Sequence, residues 1–305
     1  MNRRFFIRQA AVGGGLLLLP QLAAASSLPL ARRWRRITIL HTNDWHSRID
    51  PFPDDGGRNA GQGGALRRAA LIRQIRAVEP HVLLFDSGDI FQGTPYFNFF
   101  LGELEMKLMS QMGYDAATIG NHDFDAGIEN LAVQTRRASF PMICANYDFT
   151  ATPMEELVEP YRVFDRGGVR VGVFGLGIEL RGLALPELYG KTEYRDPVEV
   201  ANRTALHLRS RHKCDLVVCL SHLGYRYSGD KVSDVVMAAE SRDIDLILGG
   251  HTHTFLDEPV TVANRNGDPV IINQVGFAGL RLGRLEISFA GGGARGCIAC
   301  NNLRV

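Results

Sequence analysis

The sequence predicts a mixed α/β sandwich, and three observations carry that expectation. Apolar, β-branched runs alternate with amphipathic helical stretches from Ile37 onward. Hairpin signals interrupt the alternation, which argues against a purely doubly wound parallel sheet. Five of the runs end in short polar segments rich in Asp, Asn and His, and α/β folds gather their sites at such strand ends.

The elements follow in order. Residues 37–40 read as the first buried strand. Residues 65–78 read as a basic amphipathic helix with Leu66, Ala69, Ala70, Ile72 and Ile75 toward the core. A strand at 82–85, a helix over 96–112, a strand at 116–119 and a helix over 127–138 come next. Runs 161–164 and 169–174 flank Asp165-Arg166-Gly167-Gly168, a hairpin turn. A helix over 197–211 and strands at 216–220 and 244–248 precede three runs, 259–263, 269–273 and 283–289, expected as consecutive antiparallel strands.

Composition sets the limits. With 305 residues, 45% hydrophobic and 22% charged, the chain has material for a sizeable core. Net charge is +1, and Arg3, Arg4 and Arg8 lie near the start, so the remainder is slightly acidic. No basic stripe is interleaved with aromatics, which disfavours a nucleic-acid polymer as partner. The run Arg32, Arg33, Arg35, Arg36 reads as a solvated entry segment. Five cysteines fit no disulfide framework. Cys144, Cys214 and Cys219 read as small buried hydrophobes. Cys297 and Cys300 make half a zinc site with no second pair to complete it, or a tail disulfide.

The start of the chain reads as a targeting signal. Arg3-Arg4-Phe5-Phe6 matches the twin-arginine export pattern, an apolar stretch follows from Ala10 to Leu19, and Ala23-Ala24-Ala25 suits a signal peptidase. The apolar stretch is too short to span a bilayer comfortably, so no stable membrane insertion is expected. We assign 1–25 to a signal peptide, 26–35 to a basic linker and 36–305 to one catalytic domain, with export to the periplasm or beyond as the expectation.

The five polar segments hold the chemistry. They contain Asn43, Asp44 and His46; Asp89; Asn121, His122, Asp123 and Asp125; His222; and His251 with His253. Carboxylate, imidazole and amide oxygen suit hard and borderline divalent ions. Asp89 stands alone after Gly88 and is the candidate bridge between two ions, since one carboxylate can span about 3.5–4 Å. Glycines before Asp89, Asn121 and His251 let the backbone approach closely. His81, His207 and His212 read as packed or surface residues, and His41 as a residue behind the ligands. Asp125 also reads as a helix N-cap. Gly61-Gln62-Gly63-Gly64 offers amides to an anion or is simply a flexible loop.

The strings Asn43-Asp44-Trp45-His46, Gly88-Asp89, Gly120-Asn121-His122-Asp123, Ser221-His222 and Gly250-His251-Thr252-His253 resemble the calcineurin-like metallophosphoesterase superfamily. The continuation through Phe124-Asp125, and Leu40-His41-Thr42 before Asn43, resemble its 5'-nucleotidase branch. The resemblance implies a four-layer α/β sandwich, two mixed β-sheets flanked by helices, with a dimetal site at strand ends. It implies that Asp44, His46, Asp89 and His253 hold one metal and that Asp89, Asn121, His222 and His251 hold the other. Manganese, zinc, iron, cobalt and nickel all tolerate these ligands. His122 would be a non-ligand that stabilises or protonates the leaving oxygen, with Asp125 orienting its ring.

The activity implied is hydrolysis of phosphate esters, most readily nucleotides, by metal-activated hydroxide. A sulfur-ester hydrolase similar to the thiosulfohydrolases is the alternative in the same branch. Long members of the branch carry a C-terminal nucleoside-gripping domain beyond the part matched here. The expectation is therefore either that local loops recognise the leaving group or, favoured slightly, that a separate chain supplies that domain, making this a subunit that docks it. Phe91, Tyr225 and Arg226 are the candidate substrate-binding walls.

Overall fold

In the computed structural model, residues 35–289 and 295–305 are described, so the signal-peptide expectation and nearly all of the linker lie outside the described residues. Two sheets carry the core. The first orders its strands as Arg295–Arg304, Arg281–Phe289, Arg35–Thr42, Val82–Asp86, Ala116–Ala117, Met142–Ile143 and Val158–Glu159. Its inner ladders are parallel, and the Arg281–Phe289 hairpin partner closes one edge antiparallel. The second orders Val260–Ala263, Pro269–Asn273, Leu246–Gly249, Leu216–Ser221, Val169–Leu176 and Tyr161–Arg166. It too is parallel at the centre and antiparallel at both edges.

Alternation along each strand explains the layering. Leu83 and Phe85 face the second sheet, together with Ile37, Ile39, Val171, Val173, Leu216, Val218 and Leu248. Val82 and Leu84 face the other way, onto helices Ala65–Val78, Glu103–Met112 and Ile128–Arg137. In the second sheet, Val217, Cys219 and Ile247 face helices Pro197–Ser210 and Asp234–Glu240. Strands buried on both faces read as unbroken apolar runs, which is why the sequence shows them so clearly. The four-layer α/β sandwich is therefore present. No helix among the described residues is long and apolar enough to cross a membrane.

Several details differ from expectation. Helix Ala65–Val78 turns Leu66 outward, 84% exposed, and buries Arg68 instead. The Arg68 guanidinium lies 4.0 Å over the Trp45 ring, so a cation–π contact takes the place assigned to Leu66. The helix over 96–112 is two pieces, Pro95–Phe100 and Glu103–Met112. Leu101 and Gly102 take φ of 49° and 93° between them, because the Phe91 ring packs directly on the Gly102 backbone. Strand Arg281–Phe289 is not sequential with Pro269–Asn273: it crosses to the first sheet and pairs with Arg35–Thr42. The three buried cysteines sit as expected, and Cys300 is a free thiol. Cys297 and Cys300 share strand Arg295–Arg304, three positions apart. The Cys297 side chain lies outside the described residues.

The two sheets meet closely at Gly175, whose carbonyl accepts from Ala145 N at 2.8 Å. A Cβ there would run into the Ile143 carbonyl and the Thr118 hydroxyl. Gly175→Ala should cost about 1–3 kcal/mol by overpacking. Thermal unfolding would read this as a clear drop in Tm, and an unchanged Tm would mean that the strands part easily at this point.

Candidate metal centre

All five predicted segments reach one place, the crevice at the carboxyl ends of the parallel strands of both sheets. Asp44 and His46 follow strand Arg35–Thr42, Asp89 follows Val82–Asp86, and Asn121 follows Ala116–Ala117. His222 follows Leu216–Ser221 in the second sheet, and His251 and His253 follow Leu246–Gly249. Turning so soon after a strand demands unusual backbone. Asp44, His46, Asp89, His251 and His253 all have φ between 51° and 70°. Left-handed conformation in non-glycine residues costs free energy and gathers at functional sites. Close approach is enforced as well: a Cβ on Gly120 would strike the Asp89 carboxylate, and one on Gly250 would lie 2.9 Å from His222 Nδ1.

Two clusters result, Asp44 with His46 and His253, and Asp89 with His222 and His251; within each, the ligand atoms lie within 4.8 Å of one another. In the first, Asp44 Oδ1 lies 3.3 Å from His253 Nε2 and 3.9 Å from His46 Nε2. In the second, Asp89 Oδ2 lies 3.0 Å from His222 Nε2. Asn121 Oδ1 lies 2.9 Å from His251 Nδ1. Asp89 Oδ2 is also 3.9 Å from His46 Nε2, so this carboxylate faces both clusters, as a bridge must.

The protonation pattern fits a cation. His222 Nδ1 faces the Ser87 carbonyl at 2.7 Å, and His46 Nδ1 faces the Gln92 carbonyl at 3.1 Å. A carbonyl only accepts, so each Nδ1 carries hydrogen and each Nε2 points a lone pair into the crevice. There His46 Nε2 meets His253 Nε2 at 2.9 Å, beside two carboxylates. Lone pairs and carboxylates this close repel unless a proton or a metal ion lies between them, and with His46 Nδ1 carrying its hydrogen the proton in this contact would come from His253. A proton can serve: burial lowers His222, but the Asp89 and Asp44 charges override it and raise the ring to about 10. Asp89 is pressed upward by burial yet held well below the carboxylate range by His222. Burial keeps His46 low, and burial with the neighbouring His222 brings His251 down to about 4, so these rings are neutral donors. Metal ions displace protons from such sets.

His122 stands apart from both clusters. Its Nδ1 lies 2.8 Å from Asp125 Oδ2, and that hydrogen bond, opposed by burial, raises its pKa. Its ring meets the His46 ring edge-on, with centroids 5.3 Å apart. Asp125 is not the helix cap: Gly127 occupies that position with no side-chain bond. Asp123 sits in the same string, and sequence reasoning assigns it no role. It is fully buried and accepts from the amides of Asp89, Ile90, Phe91 and Gly120 at 2.8–3.2 Å. Burial and the Asp89 charge raise it to about 7. Asn43 is a second supporting group, donating to Asp44 Oδ2 at 2.6 Å and to the Gly276 carbonyl. Gln274 is a third, bridging Gly250 O and Thr252 Oγ1. The sequence places Asn43 in a ligand segment without giving it this role, and Gln274 carries no signal in spacing.

Other expectations are corrected. Phe91 is 0% exposed and stacks on Phe97, so it packs the core and lines no wall of the crevice. His41 is buried, its partner is Asn273 at 2.8 Å rather than any ligand, and burial lowers its pKa to about 3. The amides of Gly61, Gln62 and Gly63 donate to Phe52, Asn59 and Val305 carbonyls and are not free for an anion. Tyr225 N donates to Thr252 Oγ1 between the two histidine ligands at 3.0 Å, and Arg226 lies over the Tyr225 ring, so their loop sits beside the crevice.

The family model for calcineurin-like phosphoesterases matches residues 37–255, which include all seven candidate ligands. The chain belongs to the calcineurin-like phosphoesterase family. This family uses a dinuclear divalent metal site and comprises metal-dependent phosphoester hydrolases. A snake venom 5'-nucleotidase from Gloydius brevicauda is 34% identical over 90% of this chain and 49% of its own length. A 5'-nucleotidase from Vibrio cholerae is 35% identical over 82% of this chain and 46% of its own. The solved 5'-nucleotidase precursor from Thermus thermophilus superposes with a TM-score of 0.79 at 31% identity, over 88% of this chain and 54% of that one. The phosphoesterase thus spans about half the length of the curated relatives it matches.

Asp123 should matter for metal without being a ligand. Asp123→Ala releases four amides that hold the Asp89 and Gly120 backbones together. Metal affinity should fall about 10–100-fold, the usual cost of losing an outer support. Calorimetric titration with manganese or zinc reads this directly, and native affinity in the variant would remove Asp123 from the site's architecture.

Proposed function

We propose that this phosphoesterase hydrolyses phosphate monoesters, nucleotides foremost, at a two-metal centre. Asp44, His46, Asp89 and His253 would hold one ion, and Asp89, Asn121, His222 and His251 the other. The observation that carries the reading is the pair of ligand clusters sharing Asp89, with a non-ligand histidine at their edge. Bound ions would polarise the phosphoryl oxygens and lower the pKa of a water to near neutrality. Manganese, zinc, iron, cobalt and nickel all suit the donor set.

The protein's own groups do the rest. Asp125 engages His122 Nδ1, leaving the other ring nitrogen to face the substrate and to hold a proton for the leaving oxygen. Asp123 fixes the Asp89 turn, and the left-handed ligand turns keep the donors converged before substrate arrives. Tyr225 and Arg226 would form part of the rim. The nucleotide preference is supported by the identity to 5'-nucleotidases over most of this chain. We also propose export through the twin-arginine start; intact mass of the exported protein should lack roughly residues 1–25, and retention of Met1 would overturn this.

His122→Ala should lower kcat by about 10²–10⁴-fold with little change in KM. Asp125→Asn should lower it less, because the ring remains but loses its charged partner. Phosphate release from nucleoside monophosphates, a cyclic nucleotide and an aryl phosphate, by metal-stripped and reloaded protein, checks both. Release from the aryl ester alone would point to a separate chain for nucleoside recognition. No release with any metal would favour sulfur-ester chemistry instead.

A further inference from the structure

A second cavity, of about 590 Å³, lies next to the metal centre and is unused by the reading above. Phe255, Phe277, Arg58, Arg281, Arg304 and Asp257 line it. Phe277 joins the two places. Its ring stacks on the ligand His253, with centroids 4.9 Å apart and planes at 10°, and meets Phe255 edge-on at 5.9 Å. A molecule whose phosphate sits at the clusters could therefore extend past His253 into this cavity.

The charge arrangement there favours an anion. Arg281 and Arg304 stand directly opposite each other in the antiparallel ladder. Like charges in that position destabilise a sheet. Arg281 finds relief at Asp257, 3.0 Å away, and over the Phe255 ring. Arg304, and Arg58 on the facing loop, have no side-chain partner among the described residues. The loop is held in place rather than free. Phe52 N donates to Gln62 O, Gly63 N donates to Val305 O beside Arg304, and the Phe52 ring meets Phe277. Two unpaired guanidiniums thus converge on an aromatic-walled cavity whose lining carboxylate is already engaged. Guanidinium groups bind phosphate in a bidentate fork, and aromatic faces hold planar rings.

We propose that this cavity binds a second phosphate carried by the leaving group, so that the protein prefers nucleoside bisphosphates to nucleoside monophosphates. Arg58 and Arg304 grip the second phosphate, and Phe255 and Phe277 form the wall against which the planar base of the leaving group packs. This rests on the phosphoesterase reading for its consequence in turnover, but not for binding itself.

The test uses the full chain, wild type and Arg58→Gln/Arg304→Gln, with adenosine 3',5'-bisphosphate, adenosine 5'-monophosphate and an aryl phosphate. The wild type should favour the bisphosphate in kcat/KM. The double variant should raise KM for the bisphosphate about tenfold or more, the usual worth of a charged hydrogen bond. Its kcat and its action on the aryl phosphate should be unchanged. Equal KM for bisphosphate and monophosphate in the wild type, or an equal loss on all three in the variant, overturns the proposal. Calorimetry on the metal-stripped chain separates the two readings. Tighter binding of the bisphosphate that weakens in the variant supports the cavity even if nothing is hydrolysed. Turnover of the monophosphate with no tighter binding of the bisphosphate sinks the cavity and leaves the phosphoesterase reading standing.

Discussion

The structure depends on holding electron pairs together where they repel. Two carboxylates and four imidazole rings point into one partly dry crevice, with His46 Nε2 and His253 Nε2 only 2.9 Å apart. Low local polarity strengthens the repulsion among these donors wherever no proton or metal ion lies between them. Every nearby feature works against it. Carbonyls of Ser87 and Gln92 fix the tautomers, Asp123 ties four amides, and Gly120 and Gly250 remove the atoms that would otherwise keep the segments apart. The left-handed turns at five ligands are the backbone's share of the same cost.

That cost explains why two sheets are needed. One sheet edge could present Asp44, Asp89 and Asn121, but all the ligands of the first sheet except His46 are oxygen donors. The second sheet brings His222, His251 and His253 from the facing side. The hydrophobic filling between the sheets, from Ile39 and Phe85 to Val218 and Leu248, sets the distance between these two half-sets. Close packing of that layer leaves little freedom for the separation to vary.

Much of this is legible in the sequence because doubly buried strands write themselves as apolar runs, and ligands follow them at once. The four layers, the helix Ala65–Val78, the hairpin at Gly167-Gly168 and all seven candidate ligands can be named by position. Where reading fails, a tertiary contact overrules a local pattern. Leu66 fits the apolar stripe of its helix, but the Trp45 ring draws Arg68 inward instead. Phe91 follows Asp89 directly, yet its ring turns into the core against Gly102 and splits a helix. Asp123 stands in plain view within its string, but four amide bonds from distant turns leave no mark on spacing. Phe277 meets His253 only through folding, and no motif announces it.

The span between partners has a consequence for biosynthesis. His251 N donates to the Asp44 carboxylate across 207 residues of chain. A ribosome adding about 5–20 residues per second takes roughly 10–40 s to deliver the second after the first. During that interval the amino-terminal half-set, rich in oxygen donors, is exposed without its imidazole complement. The candidate metal centre is therefore complete only once the strands of the second sheet have emerged.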